Sequence, residues 1–234
     1  MQTTSLRIIL LPGIYGTGLL FEPLINALPE DYDCRVISYP THEVLSYSEL
    51  VHYVAEKIPQ DKPFVILAES FAGPLGLMLS EILGENLAAL ILVCSFVKNP
   101  RPWLSKLAWL VLHDRLLAIP PSRFMAKFMI AGFEVDDEML ALAFAIQKKV
   151  LPRVFRSRLQ EVMAMDVSEC LRSLSIPLLH LYATGDRIIP RSAQRVIARL
   201  KPDAISVAID GPHYLLQTKA EQSVRHITKF LESL

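Results

Sequence analysis

Residues 64–83 read FVILAESFAGPLGLMLSEIL. A continuous apolar run, FVILA (64–68), passes directly into a helical pattern over Phe71–Leu83, with Ser70 at the junction. A strand that turns abruptly into a helix needs small residues two positions before and after the turning residue, because the two backbones approach closely there. Those positions hold Ala68 and Ala72 where glycine is the usual choice, and each adds one methyl group. Alone, AESFAG (68–73) admits two readings. Ser70 is either a nucleophile on a strained turn, with the Phe71 N–H at the helix start aimed at an oxyanion, or an ordinary helix N-cap.

Outward from this stretch, short apolar runs alternate with longer helical patterns. Strands are expected at 6–11, 34–39, 64–68, 88–95, 177–183 and 204–209, and helices at 17–28, 46–58, 71–83, 191–200 and 219–234. Apolar strands joined by crossover helices predict an α/β fold, a sheet of six parallel strands covered on both faces. Residues 98–166 break the alternation. They contain no strand pattern but several helical ones, interrupted by PRP, IPP and LPR, and they hold Trp103 and Trp109 with Phe124, Phe128, Phe133 and Phe144. An insertion of this length is read as a helical lid between strands four and five of a single domain, 1–234.

Composition narrows the function class. Hydrophobic residues make up 52% and charged ones 21%, and the 24 basic residues balance 24 acidic ones, so no nucleic-acid footprint is present. Cys34, Cys94 and Cys170 are widely spaced, which suits a reducing compartment. Pro12 and Gly13 interrupt the N-terminal apolar run, and no apolar stretch is long enough to span a bilayer. A cytoplasmic protein is the expectation. Charge is uneven, however: 98–165 holds eleven Lys/Arg against six Asp/Glu, five of the positive charges in KKVLPRVFRSR (148–158). Such a run is either a solvated helix face or a surface for a membrane or an anionic carrier such as coenzyme A or acyl carrier protein.

The elbow reading demands an acid and a histidine at the carboxyl ends of later strands, in the order Ser, Asp/Glu, His. TGDRIIP supplies Asp186 after the fifth strand, and DGPHYLLQT supplies His213 after the sixth. His180 falls within a strand and reads as core. Asp210 is a rival acid in a less suitable loop, and Asp166 reads as an anchor where the insertion ends. Glu69 either tunes the surroundings of the serine or, as a side chain at that position more often does, makes packing or polar contacts. The glycine-bearing loop LPGIYGTG (11–18) brings bare backbone near the Ser70 turn, with the Ile14 or Tyr15 N–H as a second oxyanion donor. Its glycine order is not a dinucleotide fingerprint, and no Walker loop or metal-ligand spacing occurs. No metal or organic cofactor is expected.

Taken in order, LPGIYGTG, AESFAG, TGDRIIP and GPHYLLQ resemble the α/β-hydrolase superfamily, above all its small bacterial-type esterases and thioesterases, over essentially the whole chain. The resemblance implies Ser70 as nucleophile, His213 as base, Asp186 as the acid orienting it, and Ile14 and Phe71 as oxyanion-hole amides. It places 98–166 in the lid position. It also implies that the family's first two edge strands are missing, and that Pro12-Gly13 replaces the usual His-Gly. An apolar, aromatic lid makes Tyr15, Trp103, Trp109 and His113 candidate pocket residues. The expected chemistry is cleavage of a carboxylic ester or thioester with an apolar acyl group through an acyl-serine. The alternatives are an acyltransferase using the same triad and a non-catalytic ligand-binding protein on the same fold.

Overall fold

The computed structural model describes residues 6–105, 117 and 119–234. Among the described residues six strands form one sheet: β1 (Arg7–Leu11), β2 (Asp33–Val36), β3 (Phe64–Glu69), β4 (Leu87–Val93), β5 (Leu178–Ala183) and β6 (Ile205–Ile209). Their spatial order is β2-β1-β3-β4-β5-β6, with every neighbouring pair parallel. The expected α/β fold and strand count are met. Successive residues of a strand face opposite sides of a sheet, and the burial follows that rule. Ile9, Leu11, Ile66, Ala68, Leu90 and Leu92 pack into one core, while Ile8, Leu10, Val65, Leu67, Ile91 and Val93 pack into the other.

Helices α1 (Glu22–Ala27) and α2 (Tyr47–Ala55) flank β2, and α3 (Ala72–Ser80) follows β3. Ser46 starts α2 with a capping box: Glu49 N–H donates to its side chain, and the Glu49 carboxylate accepts from the Ser46 N–H. Between β4 and β5 run α4 (Pro102–Ser105), α5 (Arg123–Ala126), a π-helical turn (Lys127–Ala131), α6 (Asp137–Lys149), α7 (Pro152–Ala164) and α8 (Ser168–Ser173). After β5 come α9 (Arg191–Leu200), α10 (Leu215–Thr218) and α11 (Ala220–Leu231). Among the described residues no helix is long and apolar enough to cross a membrane.

Several bounds differ from expectation for local reasons. Cys94 adopts φ +47, which ends β4 at Val93 although the apolar run continues. The 34–39 run pairs as a strand only over Asp33–Val36; beyond it, the Ile37 and Tyr39 N–H groups donate to Leu10 and Gly16. The pattern over 17–28 opens as a 3-10 turn, Gly18–Phe21, before α1.

The segment between β4 and β5 is pinned at both ends. Lys98 and Asp166 form an antiparallel bridge, and Val167 N–H donates to Val97 O at 2.7 Å. Asp166 also accepts from the Ser168 N–H at 3.0 Å, which anchors the start of α8; hydrogen bonds from the Ser168 side chain and then its N–H lower the Asp166 pKa from its usual value. The sheet order changes direction between β1 and β3, and in open α/β sheets the crevice outside the carboxyl ends at such a point is where ligands bind. The loops after β1 and β3 are the two that meet there.

Candidate active site

Ser70 ends β3 at φ +52, a left-handed conformation that costs a non-glycine residue roughly 1–3 kcal/mol. It is not a helix cap, since the N-cap of α3 is Phe71. The turn is held on both sides. Ser70 N–H donates to Val93 O at 2.8 Å, and Ser70 O accepts from Gly73 N–H at 3.1 Å and from Ser95 Oγ at 2.6 Å. Tyr47 Oη donates to Phe71 O at 2.7 Å and its ring stacks on Phe71 at 4.6 Å.

Small residues are needed here, but the tightest approach is not at the two alanines. A Cβ placed on Gly73 would lie 1.8 Å from Ser95 Oγ. Gly76 makes room for Ala68, whose Cβ would stand 3.1 Å from a Cβ placed there.

Ser70 Oγ lies 2.9 Å from His213 Nε2, and His213 Nδ1 lies 2.8 Å from Asp186 Oδ2. Asp186 Oδ1 accepts from the Ile188 and Ile189 N–H groups, both at 2.8 Å, and the side chain has no exposure. This locked carboxylate faces the Nδ1 side of the imidazole and leaves Nε2 to Ser70. Asp210 does not compete: it is exposed and accepts from Thr184 Oγ1 at 2.9 Å. Burial disfavours the His213 imidazolium, but Asp186 and, more weakly, Glu69 outweigh it, so the His213 pKa lies above its usual value. His180 has no such partner, and burial alone pushes its pKa down to about 4, as expected of a neutral core residue.

Two further buried side chains, Glu69 and Cys94, lie beside this relay. Glu69 is 9% exposed, and desolvation raises its pKa. It accepts from Gln217 Nε2 at 3.0 Å and from the Gly13 N–H, so it ties the β1 loop to the elbow. Cys94 is fully buried, with its thiol pKa pushed well up by burial and by the nearby Asp186 charge, to which it also hydrogen-bonds. The ligand atoms of Cys94, Asp186 and His213 lie within 4.8 Å of one another. That set suits a hydrogen-bond network better than a metal, because the thiol stays protonated and both Asp186 oxygens already accept N–H bonds.

The β1 loop abuts the elbow, with a Cβ position on Gly13 only 3.7 Å from Ser70 Cβ. Ile14, Tyr15, Phe71, Ser70 and His213 share the wall of a cavity of about 440 Å³. From the helical segment come Met129, Ile130, Phe155, Leu159, Val162 and Met163, so that side is largely apolar. Arg101 and Arg187 lie on the same wall. Arg187 sits over the Phe128 ring at 3.9 Å and donates to Phe128 O at 2.6 Å, while Arg101 donates to Ile188 O at 3.1 Å.

Of the candidate pocket residues, Tyr15 lines this cavity and stacks on Phe155 at 5.8 Å. Trp103 does not: it is 61% exposed and is not on the cavity wall. Trp109 and His113 lie outside the described residues. The basic run 148–158 is not one solvated face either. Lys148 and Lys149 are exposed, but Arg158 is 2% exposed and Arg153 donates to His42 O at 3.1 Å.

Comparison with curated proteins returns no match. Among solved structures, a hydrolase from Oleispira antarctica superposes with a TM-score of 0.83 at 15% identity, over 98% of this chain and 92% of that one. MenH from S. aureus gives 0.80 at 15% identity, over 98% and 94%. An esterase from Exiguobacterium antarcticum gives 0.79 at 16% identity, over 97% and 92%. At these identities the likeness is one of fold. A family model described as "Alpha/beta hydrolase family" matches residues 8–225, and the chain therefore belongs to the alpha/beta hydrolase family.

Proposed function

We propose that the protein is a serine hydrolase that cleaves a carboxylic ester or thioester with an apolar acyl group. The observation that carries this reading is the unbroken relay from Ser70 Oγ through His213 to Asp186, at 2.9 and 2.8 Å, opening on a largely apolar cavity. His213 Nε2 takes the Ser70 proton as Oγ attacks the acyl carbon, and Asp186 stabilises the imidazolium that results. The Ile14 and Phe71 N–H groups hold the tetrahedral oxyanion. Loss of one such donor typically costs about 3–4 kcal/mol of barrier. The imidazolium then protonates the leaving alcohol or thiol, and water releases the acyl group from Ser70 by the same steps in reverse.

The acyl chain lies against Phe155, Leu159 and Val162, with the helical segment 98–166 as its lid. For a thioester, a carrier such as coenzyme A or acyl carrier protein is the corresponding leaving group, a reading supported by the exposed Lys148 and Lys149 and by Arg187 on the cavity wall. Reaction with a fluorophosphonate probe followed by peptide mapping tests the core of the proposal. Labelling is expected at Ser70 and is lost in Ser70→Ala and His213→Ala. A folded wild type that takes no label refutes it.

A further inference from the structure

Arg158 is a deeply buried cation that the relay leaves unused. It lies in the second turn of α7 and is 2% exposed. Its guanidinium spans two loops at the carboxyl ends of neighbouring strands. Nη1 donates to Ile14 O at 2.7 Å and Nη2 to Pro40 O at 2.8 Å. Its charge meets π faces: the Phe71 ring at 6.0 Å and the Tyr39 ring at 5.7 Å. Burial lowers its pKa to about 10, which still leaves it charged at neutral pH.

A desolvated guanidinium without a carboxylate partner is expensive, and the surrounding chain is shaped to keep this one. Gly16 has φ +73, and a Cβ there would lie 2.7 Å from Nη1. The same helix grips the same region twice more. Phe155 stacks on Tyr15, and Glu161 accepts from the Tyr47 N–H at 2.9 Å, the tyrosine that stacks on Phe71. Arg158 therefore touches Ile14 and Phe71 together, the two residues expected to supply the oxyanion amides.

We propose that Arg158 is the positioning residue of the oxyanion hole, fixing from the helical segment the turn that carries the Ile14 amide. The inference rests on the serine-hydrolase reading of Ser70. The physical reason is that the two peptides flanking Ile14 are both held. The Gly13 carbonyl, which shares a peptide plane with the Ile14 N–H, accepts from the Gly16 N–H at 2.9 Å, and the next peptide of the turn, Ile14–Tyr15, is held by Arg158 at its carbonyl at 2.7 Å. Without the guanidinium the turn is free to tilt, and the Ile14 N–H loses its aim at an oxyanion that exists only in the transition state. The consequence falls on kcat, since ground-state binding of an apolar acyl group does not use that amide.

The test compares wild type, Arg158→Lys and Arg158→Gln with a p-nitrophenyl ester, together with fluorophosphonate labelling rates and thermal unfolding. Arg158→Gln is expected to lower kcat by roughly 100-fold, the scale of losing one oxyanion donor, with KM within about threefold. Arg158→Lys keeps the charge but reaches only one carbonyl. It is expected to recover part of the loss, remaining about tenfold below wild type, and it decides the matter alone if the glutamine variant does not fold. A kcat within threefold of wild type in folded Arg158→Gln, or wild-type kcat in Arg158→Lys, overturns the inference. So does a loss carried entirely by KM. If wild type itself takes no label at Ser70, it is the serine-hydrolase reading that fails.

Discussion

Replacing Gly73 by alanine should destabilise the protein in one background and stabilise it in another. The added Cβ would lie 1.8 Å from Ser95 Oγ and 2.7 Å from Ser95 Cβ, while its next neighbour, Leu92 Cδ2, stands at an ordinary 3.5 Å. Ser95 cannot simply rotate away, because its Oγ is held by the 2.6 Å bond to Ser70 O. Overpacking of this kind costs about 1–3 kcal/mol, and the displaced hydrogen bond about 1 kcal/mol more. Glycine-to-alanine in a helix returns about 1 kcal/mol. The net expectation is a loss of about 1–3 kcal/mol. In a Ser95→Gly background both clashing atoms and the hydrogen bond are already gone, so Gly73→Ala should stabilise by up to about 1 kcal/mol. Urea unfolding of the four proteins measures the cycle. In parallel, the fluorophosphonate labelling rate of Gly73→Ala should fall by about 100-fold, the scale of a 1 Å displacement of a nucleophile. It should recover in part in the double variant. Equal ΔΔG for Gly73→Ala in both backgrounds would refute the reasoning, because the clash would then not be with Ser95.

The His213 pKa is raised, so the acid limb of kcat/KM, where the base is protonated and inactive, should lie above the ordinary imidazole value of about 6.5. Glu69→Gln removes one of the causes and should move the limb to lower pH; an unmoved limb means that Glu69 does not act on His213. The sign for stability follows: the contribution of His213–Asp186 is fully present below the unfolded pKa and is lost as pH rises through the higher folded one. Ala68→Val or Ala72→Val should cut ester hydrolysis, whereas glycine at either position should be tolerated, since both side chains are fully buried at the elbow. Equal rates in all four variants would remove the steric argument. In a p-nitrophenyl ester series, each methylene entering the apolar cavity should contribute up to about 0.8 kcal/mol, or roughly fourfold in kcat/KM, until the cavity is filled. Acetate hydrolysed as well as hexanoate would contradict an apolar acyl site.

The sheet and the relay were legible because both depend on local pattern and on chain order. A continuous apolar run as short as FVILA, with a turn at its end, reads as a buried strand, and Asp186 and His213 sit in loops whose position follows from counting strands. What escaped depends on contacts between distant segments. Ser95, one residue past a left-handed Cys94, looks like the polar end of a strand until the fold brings its hydroxyl to Ser70 O. Arg158 lies in a run of five cations, and nothing local separates it from Lys148 or Arg156. Only the space left by Gly16, 142 positions away, marks it as buried. Trp103 failed in the opposite sense: aromatic character suggested a pocket wall, but the side chain faces solvent.

The elbow shows how the fold sustains its own strain. The two central strands break side by side, β3 at Ser70 with φ +52 and β4 at Cys94 with φ +47. Each break is bonded to the strand next to it: Ser70 N–H to Val93 O at 2.8 Å, and Cys94 N–H to Leu181 O at 2.9 Å. Three hydrogen bonds hold the Ser70 peptide groups, each contributing about 0.5–1.5 kcal/mol net. Their sum is comparable to the roughly 1–3 kcal/mol that a left-handed serine costs. The second break has its own use. By leaving the sheet at Cys94, β4 sends the thiol toward Asp186 and the next residue, Ser95, toward Ser70 O, so one irregular turn supports both ends of the relay. A regular β4 extended through Ser95 would point these two side chains to opposite faces of the sheet and could support only one.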